Sequence, residues 1–179
     1  MQPHLVPAAP QAYAYPLLVR QLLLNSLSLY GDQQITYRGE LRHSYRDFRQ
    51  RVGRLASALT AQGVTHGTTV AVMDWDSHRY LECYFGVPMM GATLFTVNVR
   101  LSAQQILYTL NDSGAEVVLL HPDFVPVMEE IRAELTSVRS PMLYGLPMPL
   151  VVTGTQFSPS LLRYMSKPDW FSNIALGVT

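Results

Sequence analysis

The chain has 179 residues, with 13 basic and 13 acidic side chains, 48% hydrophobic and 15% charged residues. This length suits one domain with a sizeable buried core, and a cancelled charge without like-charged runs excludes the basic footprint of a nucleic-acid binder. A single cysteine, Cys83, excludes an intramolecular disulfide.

Residues 1–15 hold three prolines and four alanines without periodicity and read as an extended arm. Leu17, Leu18, Leu22, Leu23, Leu27 and Leu29 predict a helix with a broad apolar face, ending near Gly31. The apolar run from Pro16 to Leu29 is broken by Arg20, Gln21 and Asn25 and is too short to cross a bilayer. With no basic region at the N-terminus to mark a secretory signal, no membrane span and a cytoplasmic location are expected. Short strands over 34–37 and 41–44 flank Arg38-Gly39-Glu40, where the glycine suits a hairpin turn. Ser44, with Asp47 three residues on, predicts a capped helix start. Behind it Tyr45, Phe48, Val52, Leu55 and Leu59 recur at spacings of three and four, and Gly63 supplies the stop.

Three apolar segments follow at near-equal intervals, 69–73, 92–97 and 116–120, separated by helical patterns. That alternation predicts parallel βαβ units, whose strands are covered on both faces and are therefore continuously apolar. The intervening helices begin near Ser77 and at Ser102, the second with Gln105 as a capping partner. A last helix is predicted over 123–135. The fold class is α/β: a mostly parallel sheet of three or four strands, helices on both faces, and a small hairpin.

Open α/β sheets place their ligand crevice beyond the carboxyl ends of the strands. His78 and Arg79 follow the first parallel strand, Asn98 and Arg100 the second, and these four are the crevice candidates. Each has a structural alternative. His78 can cap or pack at a helix start, Arg79 can be solvated, and Asn98 can hold a turn by bonding backbone amides. Arg100 can pair with Glu82 or Asp76. His4, His43, His66 and His121 are scattered without metal-ligand spacing, so no metal ligand is assigned. No serine lies in a Gly-x-Ser-x-Gly setting, which argues against hydrolase chemistry. No catalytic or cofactor-binding residue is assigned. Trp75, Tyr80, Tyr84 and Phe85 read as core, with a route to an acyl chamber as the other reading.

The stretch 73–101, from Met73-Asp74-Trp75 to Val99-Arg100-Leu101, resembles the first subdomain of bacterial fatty-acyl-CoA synthetases. These belong to the AMP-dependent, adenylate-forming ligase superfamily. Ile35-Thr36-Tyr37-Arg38, Arg54-Leu55-Ala56-Ser57-Ala58-Leu59, Val70-Ala71-Val72-Met73 and Ile106-Leu107-Tyr108-Thr109-Leu110-Asn111 carry the same likeness, which runs from about Tyr15 to Tyr144. The resemblance implies the first subdomain of the ligase N-terminal domain. It also implies an enzyme that joins a medium- or long-chain fatty acid to ATP, releasing pyrophosphate; the thiol of coenzyme A then displaces AMP. ATP, Mg²⁺ and coenzyme A are thereby implied for the complete enzyme. Family members grip the triphosphate with a Ser/Thr/Gly-rich loop ending in lysine, and a mobile C-terminal domain brings another lysine. The nearest fragment here, Val152-Thr153-Gly154-Thr155-Gln156, lacks the second glycine and the lysine at the required distance.

From Ser140 the character changes. Pro141, Pro147, Pro149, Pro159 and Pro168 interrupt regular structure, and Lys167 is the first lysine of the chain. The expected division is an arm over 1–15, the ligase subdomain over 16–140, and an atypical Pro-rich tail over 141–179 that is not family sequence, from a shifted reading frame or a truncated gene. The expectation is an N-terminal fragment of a fatty acid–CoA ligase that binds none of the cofactors and is inactive alone. The alternative is a non-catalytic interaction module that associates with a full-length ligase. An incomplete domain exposes apolar faces, so self-association is expected.

Overall fold

The computed structural model describes residues 9–13, 18–143 and 150–151. The fragment 152–156 and Lys167 lie outside these, as does most of the predicted arm. Helix α1 (Val19–Tyr30) leads into an antiparallel hairpin of β1 (Gln34–Tyr37) and β2 (Leu41–Ser44), with Tyr37 opposite Leu41. The tip needs left-handed backbone at Arg38 and Gly39, with φ of 53° and 75°. Glycine takes this without steric cost, while Arg38 lays its guanidinium over the Tyr37 ring.

Helix α2 (Tyr45–Ala61) starts as its sequence predicts. The Ser44 hydroxyl accepts from the Asp47 amide at 3.1 Å, and the Asp47 carboxylate accepts from the Ser44 amide at 3.0 Å. The reciprocal bonds satisfy two amides that a helix start leaves orphaned. A second such box, Ser102 with Gln105, opens α4 (Ala103–Asp112).

Between these helices runs an open five-stranded sheet of β3 (Thr69–Met73), β4 (Thr93–Thr96), β5 (Val117–Leu120), β6 (Ser140–Leu143) and β7 (Leu150–Val151), in the order β4-β3-β5-β6-β7. The first four strands are parallel, and β7 returns antiparallel beside β6. Pro141 stands within β6, opposite Val118. Helix α3 (His78–Met89) connects β3 to β4. Past β5 the chain forms α5 (Val125–Ile131) between 3₁₀ turns at Pro122–Phe124 and Arg132–Glu134. The single helix predicted over 123–135 is thus shorter, with Pro126 in the first turn of α5 fixing its start.

Both faces of the sheet are covered, as parallel strands require. Val70 and Val72 of β3 pack with Leu59 of α2 and Tyr80, Cys83 and Val87 of α3. The alternate residues Ala71 and Met73 pack with Ile106, Leu107 and Leu110 of α4 and with Met128 and Ile131 of α5. Cys83 is fully buried. A third layer lies outside the first helical one, where Leu23 of α1 meets Phe48 and Val52 of α2 beside Phe85 of α3.

Candidate functional site

The strand order fixes where a ligand crevice can form. The chain leaves β3 through α3 on one face and reaches β5 through α4 on the other, while β4 and β5 flank β3 on opposite sides. The gap outside the carboxyl ends of β3 and β5 is therefore the topological switch point of the sheet. The His121 amide donates to the Met73 carbonyl at 2.9 Å and holds the two strand ends together there.

Two tetrapeptides form this crest, Asp74-Trp75-Asp76-Ser77 after β3 and His121-Pro122-Asp123-Phe124 after β5. Asp74 is buried, and its carboxylate accepts from the Trp75 amide at 2.7 Å and from the Ser77 hydroxyl. The Ser77 oxygen in turn accepts from the Arg79 and Tyr80 amides and so caps α3. Asp76 takes a φ of 50°, a left-handed conformation that a short polar side chain tolerates better than most. The Trp75 indole donates to the Asp123 carboxylate at 2.8 Å, and its ring lies 4.7 Å from that of Phe124. His121 accepts the Asp123 amide proton on Nδ1.

The Asp74 and Asp123 carboxylates are therefore committed to the turn, the cap and the indole, while Asp76 is exposed. What the crest offers outward is the part-exposed Trp75 ring, a floor that can hold a flat or apolar group. Among the described residues no group of three or more His, Cys, Asp or Glu side chains could hold a metal ion. Among the described residues, the crest has no Gly-rich loop with lysine, and two of its three aspartates are already bonded, so the described crest alone makes no built site for Mg²⁺ or a triphosphate.

The four sequence candidates are split. His78 begins α3 but turns to the hairpin, with ring centroids 5.1 Å from Tyr37 and 5.8 Å from His43. It packs, and Ser77 does the capping. Burial, with Arg79 and Arg51 adding positive charge, pushes the His78 pKa down to about 3; burial likewise lowers His43. Arg79 is half-buried beside it in α3. Asn98 closes the turn after β4, its side-chain oxygen accepting from the Arg100 amide at 3.1 Å. Arg100 is exposed, and Glu82 is taken instead by Arg51 of α2. The predicted aromatic group divides as well. Tyr80 is buried, its hydroxyl pKa raised by burial, whereas Trp75 and Tyr84 are part-exposed. Asp74, Ser77, His121 and Asp123 were not among the sequence candidates. Their signal was position alone, directly after an apolar strand.

The AMP-binding enzyme family matches residues 26–159, past the change of composition at Ser140. A long-chain-fatty-acid–CoA ligase of Thermus thermophilus is 40% identical over 121 residues, 65% of this chain and 22% of that protein. A 3-methylmercaptopropionyl-CoA ligase of Ruegeria pomeroyi is 33% identical over 134 residues, 73% of this chain and 25% of its own length. The inhibitor-bound N-terminal domain of FACL13 from Mycobacterium tuberculosis shares the fold with a TM-score of 0.63 and 26% identity, over 67% of this chain and 31% of that one. The anthranilate CoA ligase AuaEII in complex with anthranoyl-AMP has the same fold, with a TM-score of 0.67 at 24% identity, over 71% and 25% of the two chains. The chain spans about a quarter of the length of these curated relatives. By its matched residues and its α/β architecture, it belongs to the AMP-binding enzyme family.

Proposed function

We propose that this chain is the N-terminal part of a fatty acid–CoA ligase, one that activates a medium- or long-chain acid with ATP and passes the acyl group to coenzyme A. The carrying observation is the family match over 26–159 together with a CoA-ligase relative at 40% identity. In this reading residues 16–140 are the body of the first subdomain, β6 and β7 carry its sheet into the stretch 141–179, and the family match reaches 159 within that stretch. The crest at the switch point contributes one wall of the crevice. Asn98 and Arg100 shape its rim beyond β4, and His78 and Arg79 brace α3 from behind.

The chain alone forms no adenylate. Attack of a carboxylate on ATP needs charge-neutralising donors around the phosphate under attack, and among the described residues no lysine and no Gly-rich phosphate loop stands at the crest. Incubating the purified chain with ATP, Mg²⁺, coenzyme A and octanoate tests this. Pyrophosphate above background would refute the inactivity. Recovery of an intact ligase on the tagged chain would favour the interaction-module reading instead.

A further inference from the structure

We propose that the outer flank of α1 is a seam, covered in the intact protein by an apolar face from the rest of the same ligase domain. α1 sends Leu23 inward against Phe48 and Val52 of α2, with Leu27 packed beside them. Leu18 just before it, with Leu22 and Leu29 at spacings of four and seven, lines another flank, and Leu24 and Tyr30 stay outside as well. Leu22, Leu29 and Tyr30 are 64%, 72% and 63% exposed. These five make up half of the ten large apolar side chains exposed among the described residues.

The helix does not have the make-up of an ordinary surface element. Its leucines occur on nearly every side, and Arg20 is the only charge within it. That is the pattern of a helix enclosed by neighbours, yet Leu23 is its only buried residue. A helix of 12 residues is held by packing more than by propensity. The layer that α1 joins is thin, with three buried residues against thirteen and ten on the two faces of the sheet. It is half of a contact.

What forms the other half follows from how little of the domain this chain supplies. It covers only 31% of a solved N-terminal domain that shares its fold, so the missing part includes most of the domain to which α1 belongs. Residues 16–31 contain no acidic side chain, and Arg46 at the end of α1 is already paired with Asp32. The complementary surface is therefore apolar and sparsely charged. The identity of the partner rests on the ligase reading; the unfinished flank of α1 does not.

The test compares the full chain alone with a chimera in which it replaces the matching stretch of the 40%-identical ligase. Alone, L22S/L29S should leave the urea midpoint unchanged, because those side chains already lie in water. In the chimera the same pair should lower the thermal midpoint by about 5 °C, since the two leucines are then buried. A hydrophobic dye that binds the chain through this flank should no longer bind the chimera. An equal response of chain and chimera overturns the proposal, as does a chimera that fails to fold or whose dye binding L22S/L29S still abolishes. Chains that pair through this flank when alone, with a chimera indifferent to the substitutions, assign it to a second copy and overturn it equally. Pyrophosphate release by the unsubstituted chimera reports separately on the ligase reading. A folded but inactive chimera counts against that reading alone, and an active one indifferent to L22S/L29S against the seam alone.

Discussion

His43 and His78 stand ring to ring, centroids 5.8 Å apart, and each buries a ring nitrogen that has no hydrogen-bond partner among the described residues. The pair joins the hairpin to the start of α3. Arg51, Arg54 and Asp47 of α2, with Arg79 and Glu82 of α3, supply the surrounding charge.

This contact makes the fold acid-sensitive. The His78 pKa falls from 6.5 unfolded to about 3 folded, so the native state prefers the neutral ring. Its contribution is complete above pH 6.5 and is lost as pH falls from there toward 3. Half-solvation reduces the loss to about 1 kcal/mol between pH 7 and 5, less than the full linkage slope would give. Urea midpoints at the two pH values measure it. H78F should flatten the difference; a wild-type midpoint that does not move over this interval would contradict the account.

Arg51 and Glu82 form the ion pair that ties α2 to α3. Glu82 is 8% exposed and Arg51 26%, so removing one partner strands a largely buried charge. R51M or E82L alone should cost about 2–4 kcal/mol, somewhat below a fully enclosed pair. The double replacement should cost less than either single change, because both charges go together. A double-mutant cycle on chemical denaturation decides it.

Trp75 and Asp123 report on the crest. In a W170F background Trp75 is the only indole. D123A there removes the acceptor of its N–H, at a cost of about 1 kcal/mol, and should shift its emission to the red. Unchanged emission would mean that the bond does not hold the ring in solution.

Gly91 carries a φ of 79°, and a Cβ at this position would come within 2.6 Å of the His66 ring. G91A should therefore cost about 1–3 kcal/mol. H66A/G91A should recover the steric part alone, leaving the backbone strain, which thermal unfolding of both variants can separate.

What the sequence revealed was local. Ser44 with Asp47 and Ser102 with Gln105 mark helix starts because capping involves residues three apart, and the continuous apolar run 69–73 marks a strand covered on both sides. What stayed hidden depends on distant partners. Arg51 meets Glu82 across 31 positions and Trp75 meets Asp123 across 48, so pairing Glu82 with Arg100 was equally consistent with the sequence. The direction of His78 was hidden for the same reason, since it is set by the docked hairpin.

The left-handed turn at Asp76 limits how this chain can drift. A β-branched residue there would strain the link between β3 and α3, whereas Asn or Gly would fit it. Relatives that keep this connection should draw that position from a narrow alphabet, even where neighbouring surface positions vary freely.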